Sequence, residues 1–143
     1  RKWVYRKVLQ YYPASQTAAN NLAMIYLQQG QVAEAQEVLD ALTGVTSPVI
    51  LNTLAVAWYQ NGRTNDAMDL LQSHLSLPES RHNLGVMKAL AGELEDAYQL
   101  LAPFADVDAV IMALRTGRKK EARRMLEALP ADSKEVERLR EML

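Results

Sequence analysis

Two histidines, His74 and His82, are the side chains of this sequence best suited to acid–base chemistry or metal binding, because imidazole titrates near neutral pH. Neither histidine has a nucleophile or a cluster of carboxylates close to it in the sequence. The chain also lacks cysteine, which excludes disulfides, thiol nucleophiles and thiolate metal sites. We expect His74 at the end of a helix and His82 on a polar helix surface. The sequence therefore predicts no catalytic residue, no metal and no cofactor.

Phosphate-binding loops and catalytic acid pairs are not indicated either. Gly30, Gly62 and Gly92 stand singly, with spacings of 32 and 30 residues, whereas a phosphate loop clusters its glycines. Glu95 and Asp96 form an acidic pair at the start of a predicted helix, where the helix dipole stabilises negative charge. Both observations favour a protein that is not an enzyme.

The segment RTGRKKEARR, residues 115–124, is the best indication of a surface for nucleic acid or anionic lipid, since six of its ten residues are basic. We expect Lys119, Lys120, Arg123 and Arg124 on the exposed side of a helix. No aromatic residues interleave to stack on bases, and the whole chain has a net charge of -1. A solvated face, or an intramolecular partner for the acidic middle of the chain, is the favoured interpretation.

Composition predicts the class of fold in which these residues lie. The chain has 143 residues, of which 49% are hydrophobic, and this is enough for the core of one domain. Only 6% are aromatic, while Ala, Leu and Met are abundant, so helices are favoured over strands. No apolar run approaches the ~18 residues that a membrane-spanning helix requires. The chain is therefore expected to be all-α.

One spaced pattern occurs four times along the chain. A Gly is followed five residues later by Ala and nine residues later by Leu. Gly permits the positive φ that ends one helix, and the small Ala lets a second helix pack closely against the first. The pattern thus predicts repeated helix–turn–helix units. Its members are Gly30, Ala35 and Leu39; Gly62, Ala67 and Leu71; Gly92, Ala97 and Leu101; and Gly117, Ala122 and Leu126.

Capping residues predict where several helices begin. Ser47 before Pro48 is a favourable N-cap and first-turn pair, and Ser15 is expected to act similarly. Near the C-terminus, Asp132 is predicted as the N-cap of a last helix, with Glu135 completing a capping box. That helix alternates charges around a few apolar residues, which is typical of a helix that caps a stack of repeats.

These units resemble the tetratricopeptide repeat, which stacks helical pairs into a right-handed α-solenoid. In the first unit the family's landmark residues correspond to Leu22, Ala23, Tyr26, Gly30, Ala35 and Leu39, and in the second to Leu54, Ala55, Trp58, Gly62, Ala67 and Leu71. The third unit has Lys88 where an aromatic residue is usual, and the fourth has a shortened first helix. We expect one domain over residues 1–143, comprising a truncated preceding unit at 1–13, repeats at 15–46, 47–77, 78–104 and 105–130, and a cap helix at 131–143.

The resemblance implies a concave groove, lined by the first helix of each pair, that binds a peptide or a partner segment. Carried over by position, the expected lining is rich in carboxamides and poor in charge. Its residues are Asn20, Asn21, Met24, Gln28, Asn52, Thr53, Val56, Tyr59, Gln60, His82, Asn83 and Val86.

Two known modes of binding in this family can be compared with that lining. Asn20, Met24, Glu79 and Asn83 occupy the positions of the Lys and Arg clamp that binds acidic tails, so the clamp is absent. Asn21 and Asn83 are similar to a ladder of asparagines that holds a peptide backbone, although Thr53 interrupts it. Asparagines that tie adjacent helices together are an equally good interpretation.

The sequence therefore predicts a non-enzymatic protein–protein interaction module, with a protein or peptide as partner and no nucleic acid. One alternative is a structural segment that docks onto an upstream domain of the same protein. Another is binding of nucleic acid or anionic lipid by the basic segment. The chain begins with Arg1 rather than Met, so we expect part of a larger protein, which we take to be bacterial. The sequence does not determine its compartment, for which the cell envelope or periplasm is the favoured interpretation.

Overall fold

The computed structural model describes residues 2–11, 16–40, 48–131 and 133–143, and over these residues the chain forms α-helices, one short 3-10 helix and no strand. This confirms the all-α class. The α-helices are α1 (Lys2–Tyr11), α2 (Gln16–Gln28), α3 (Val32–Asp40), α4 (Pro48–Gln60), α5 (Thr64–Gln72), α6 (Pro78–Leu90), α7 (Leu94–Leu101), α8 (Val107–Arg115), α9 (Lys119–Glu127) and α10 (Lys134–Glu141). The 3-10 helix, Ala102–Phe104, follows α7.

The helices fall into two compact units, Arg1–Ser80 and Arg81–Leu143. In the first unit α2 packs against α3 and α4 against α5, while α2 also contacts α1 and α4. In the second unit α8 packs against both α7 and α9, and α10 packs against α9. Whether the chain is a single domain with the predicted repeat bounds stays a prediction.

The turns within the helical pairs have the backbone conformation that the repeat pattern predicted. Each of the four pattern glycines has a positive φ, as at Gly62, where φ is 85°. There the N–H of Gly62 bonds to the carbonyl of Tyr59 at 3.2 Å, and the N–H of Arg63 bonds to that of Trp58 at 2.8 Å. These bonds satisfy carbonyls at the end of α4, and they require a left-handed residue between the two helices.

Small residues let the two helices of a pair approach closely. The four pattern alanines, Ala35, Ala67, Ala97 and Ala122, have no exposed surface, and the four pattern leucines are at most 7% exposed. In the third pair Gly85 of α6 lies so close to α7 that an added Cβ would be 2.6 Å from Leu101 Cγ. Close packing by small residues, expected from their spacing, is therefore confirmed.

Apolar residues of successive helices form the core of each unit. In the first unit Tyr26 of α2 is only 7% exposed and packs with residues of α3 and α4. Its hydroxyl accepts hydrogen bonds from the guanidinium of Arg6, the Nε bond measuring 3.2 Å, which fastens α1 to α2. In the second unit Val136 and Leu139 of α10 are buried against the core that α7, α8 and α9 provide.

The start of the last helix differs from the prediction. Ser133, not Asp132, is the N-cap of α10: its backbone is extended, and its Oγ accepts a bond from the N–H of Val136 at 3.1 Å. The predicted capping box with Glu135 is therefore wrong, because the N3 position is Val136. Asp132 lies outside the described residues, as do Ser15 and Ser47. Both Ser and Asp cap helices well, so residue type alone does not separate these two neighbouring positions.

Candidate functional site

The first helices of two neighbouring pairs, α2 and α4, share an unusual composition. Their sequences, QTAANNLAMIYLQ and PVILNTLAVAWYQ, contain no charged residue. The two helices pack against each other in the first unit. A helix that faces water usually carries charged side chains on that face, so the half-exposed residues of α2 and α4 need another explanation.

Most of the predicted lining residues of α2 and α4 are accessible. They occupy equivalent positions in the two repeats, as Met24 and Val56 do, six residues before Gly30 and Gly62. Val49, at the first turn of α4, is 68% exposed and extends the apolar part of this surface. We call the following residues the uncharged face: the half-buried Asn20, Asn21, Met24, Thr53, Val56 and Tyr59, and the exposed Gln28, Val49 and Gln60.

Asn52 differs from the other lining residues because it is only 7% exposed. Its side-chain amide donates to the carbonyl of Pro48 at 2.8 Å and to Ser80 Oγ at 3.3 Å. Ser80 is completely buried. Asn52 thus ties α4 to the first turn of α6, which is the structural alternative foreseen for the asparagines. It is not part of an accessible surface.

Thr53 occupies the position of Asn21 in the next repeat, and its side chain is used within its own helix. Thr53 Oγ1 donates to the carbonyl of Val49 at 2.8 Å. A hydroxyl bonded in this way retains only acceptor capacity for a ligand. A continuous row of asparagines across α2 and α4 is therefore not present, and the binding role of the predicted lining stays a prediction.

In the second unit, His82, Asn83 and Val86 of α6 are all half-buried. His82 Nε2 lies 2.8 Å from Asp106 Oδ2 and 3.4 Å from Asp108 Oδ2. The Phe104 ring meets the imidazole edge-on, with the centroids 4.9 Å apart. Sequence reasoning missed this cluster because the carboxylates follow His82 by more than twenty residues, and only the packing of the helices brings them together.

The other histidine has the predicted structural role. His74 lies two residues beyond the end of α5, and its Nδ1 is 2.9 Å from the carbonyl of Leu70. This contact involves a carbonyl at the C-terminal end of the helix, where unpaired carbonyls need partners. Among the described residues, no neighbouring group indicates a catalytic or metal-binding role for His74.

The basic segment is partly neutralised by its own unit. Arg118 bonds to Glu95 with an Nη1–Oε2 distance of 3.0 Å, and its guanidinium lies 4.1 Å from the centre of the Tyr98 ring. These hydrogen bonds lower the pKa of Glu95 and raise the pKa of Arg118. Arg124 pairs with Glu121. The segment thus provides intramolecular partners for acidic residues, as the favoured interpretation held.

The rest of the basic segment lies on α9, with its charges directed to solvent. Lys119, Lys120 and Arg123 are exposed, while Ala122 and Leu126 face the core. A cavity of about 340 Å³ lies between α9 and α10, lined by Arg123, Leu126, Glu127, Arg140 and Leu143. Arg140 donates to the carbonyls of Leu126 and Leu129 at 3.2 and 3.0 Å, which caps the C-terminal end of α9. Arg140, one of the two arginines of this cavity, therefore has structural partners.

In the part of the chain that the structure describes, no helix is long and apolar enough to cross a lipid bilayer.

Comparison with known proteins relates this chain to tetratricopeptide repeats. Family models described as tetratricopeptide repeats match residues 4–47 and 103–128. No curated protein matches the chain. Among solved structures, YrrB, a TPR protein with an unusual peptide-binding site, has a TM-score of 0.67 and 17% sequence identity, over 98% of this chain and 81% of YrrB.

Two further solved structures have a similar fold. MamA has a TM-score of 0.67 and 18% identity, over 99% of this chain and 87% of that protein. The TPR-like repeats of a Podosopora anserina kinesin light chain have a TM-score of 0.61 and 20% identity, over 89% of this chain and 82% of that chain. At these identities the likeness concerns the fold.

Proposed function

We propose that this chain of tetratricopeptide-like repeats is a protein-interaction module, and that it binds an extended or helical peptide on the uncharged face of α2 and α4. We further propose that it performs no catalysis, as is general for scaffolds of this family. The observation that carries the proposal is the absence of charge from both helices, whose accessible side chains are amides and apolar groups.

The chemistry of the uncharged face suits a peptide. The carboxamides of Asn21 and Gln28 can donate and accept together, so they can pair with a peptide backbone irrespective of its side chains. Met24 and Val56 offer apolar contacts, and Tyr59 a large aromatic one, which is typical of residues that dominate binding energy. YrrB, which has a similar fold, has a peptide-binding site, and this supports a peptide as the class of ligand.

The lack of charge also determines how binding should respond to salt. Ionic contacts weaken as salt concentration rises, whereas contacts of amides and apolar groups do not. We therefore expect an affinity that changes little with salt, and a preference for a peptide with apolar side chains over an acidic tail. Strongly salt-dependent binding would instead indicate that the basic segment, residues 115–124, is the binding surface.

Peptides selected from a random phage-displayed library against the immobilised chain provide a probe. Calorimetric titration should show at least about tenfold weaker binding to a variant with Met24→Ala and Tyr59→Ala, which corresponds to about 1.4 kcal/mol. The melting temperature should change little, because both side chains are only half-buried.

A matched control carries Glu37→Ala and Gln72→Ala, two exposed residues of the second helices α3 and α5. This variant should bind the selected peptides as the parent does. If the Met24 and Tyr59 variant also binds with the parent's affinity, the uncharged face is not the binding site.

A further inference from the structure

His82, Asp106 and Asp108 form a cluster in the second unit whose ligand atoms lie within 4.8 Å of one another. His82 comes from α6, Asp106 precedes α8, and Asp108 is in the first turn of α8. The side chains are 27%, 40% and 50% exposed, so water and ions can reach them. None of the three residues is a member of the uncharged face, and the proposed peptide binding does not use them.

Among the described residues, no Lys or Arg forms an ion pair with Asp106 or Asp108. Their shared partner is His82, whose Nε2 carries a single hydrogen when it is a donor. Two carboxylates therefore lie beside one imidazole nitrogen, and their negative charges repel each other.

The distances distinguish the two carboxylates. The 2.8 Å from Nε2 to Asp106 is that of a hydrogen bond, whereas the 3.4 Å to Asp108 is longer than usual for one. Two ligand atoms that are each bound about 2.1 Å from one metal ion, at angles of 90–109°, lie about 3.0–3.4 Å apart. The two distances from His82 Nε2 are thus close to this range, and all three ligand atoms lie within 4.8 Å of one another.

Neighbouring groups hold the ligands in place. Asp106 Oδ1 accepts the N–H of Ala109 at 3.0 Å, so this oxygen caps α8 while Oδ2 faces His82. The Phe104 ring packs edge-on against the imidazole at an interplanar angle of 86°. Hydrogen bonding of a ligating carboxylate by a neighbouring group, as at Asp106, is a feature of metal sites.

Against the expectation from the sequence, we propose that His82, Asp106 and Asp108 bind one divalent transition-metal ion such as Zn²⁺. One imidazole nitrogen and two carboxylate oxygens suit Zn²⁺ better than Ca²⁺ or Mg²⁺, which favour ligand sets made of oxygen alone. The double negative charge of the carboxylates balances that of the ion. Water completes the coordination at this half-exposed site.

Calorimetric titration of chelator-treated protein with Zn²⁺ tests the proposal. The parent should bind one ion per chain, and the ion should raise the melting temperature. Asp108→Asn removes a ligand without removing the helix cap, and it should weaken Zn²⁺ binding at least about tenfold. His82→Gln should do the same, and Co²⁺ should give a visible absorption spectrum with the parent that both variants lose.

Two control variants separate this site from adventitious binding. His74→Gln removes the other histidine, and Asp96→Asn removes an exposed carboxylate at the start of α7; both should bind Zn²⁺ as the parent does. The proposal is overturned if the parent binds no Zn²⁺, which would leave an ion pair only. It is equally overturned if Asp108→Asn binds as tightly as the parent, with helix content by circular dichroism confirming that each variant is folded.

Discussion

Gly85 lies directly against Leu101, at a distance that leaves no room for a side chain. A Cβ on Gly85 would be 2.6 Å from Leu101 Cγ, 2.8 Å from its Cδ2 and 3.2 Å from Leu100 Cβ. The corresponding positions of the first two pairs are Ala23 and Ala55, both without exposed surface. In the third pair the two helices therefore lie too close together at this position to accommodate even the methyl group of an alanine.

Gly85→Ala should lower the free energy of unfolding by about 1–3 kcal/mol, because the added methyl overpacks the contact between α6 and α7. Urea denaturation measures this change. Leu101→Ala should remove the clash. Gly85→Ala should therefore lower the free energy of unfolding less in the Leu101→Ala background than in the parent. Additive effects of the two substitutions would contradict the close contact.

Gly62→Ala should destabilise the chain by about 1 kcal/mol through backbone strain alone. The φ of Gly62 is 85°, and no atom lies within 4 Å of the position of an added Cβ, so steric overlap contributes nothing. Gly62→Asn provides the control, because Asn adopts positive φ more readily than Ala does. Thermal melting should rank the parent first, Asn second and Ala third. A stable Ala variant would show that the turn does not require a left-handed residue.

Asn52→Ala should cost about 1–3 kcal/mol of stability, because it removes the amide that bonds to the buried Ser80 hydroxyl. A double variant with Ser80→Ala should recover part of this loss, since no polar group then remains buried without that partner. Asn20→Ala, at the equivalent but half-exposed position, should cost less. If Asn52→Ala denatures like the parent, Asn52 does not tie α4 to α6.

The ion pair of Glu95 and Arg118 should give a small pH dependence in acid. Hydrogen bonds from Arg118 hold the pKa of Glu95 below its ordinary value of 4.5, so the folded state binds this proton less readily than the unfolded state does. The stabilisation is therefore complete above about pH 4.5 and is lost as pH falls through the lowered pKa. Because the pair is exposed, the effect should be small and should weaken with salt.

Carbon NMR of the Glu95 carboxyl measures that pKa directly. Arg118→Met should raise the pKa of Glu95 towards its ordinary value, whereas Arg115→Met, a nearby substitution of the same charge change, should not. Equal titration of Glu95 in the parent and the Arg118 variant would mean that the ion pair does not persist in solution.

The repeat could be predicted from the sequence because its causes are local. The turn that ends a helix requires glycine, as at Gly62, and the close contact between two helices requires a small residue, as at Ala67. These residue types therefore recur at a constant spacing in the sequence. The exposed side of α9 was predicted correctly for the same reason, since helical periodicity separates Lys119 and Lys120 from Ala122.

Tertiary structure decided the features in which equivalent positions differ. Asn20 and Asn52 occupy the same place in successive repeats, yet Asn52 is buried and bonds to Ser80 in the first turn of α6, while Asn20 is half-buried. The meeting of His82 with Asp106 and Asp108 depends on how α6 packs in its unit. Helix period and turn chemistry act over a few neighbouring residues and can be deduced from the chain, whereas burial and ligand geometry depend on distant segments that only the folded structure brings into contact.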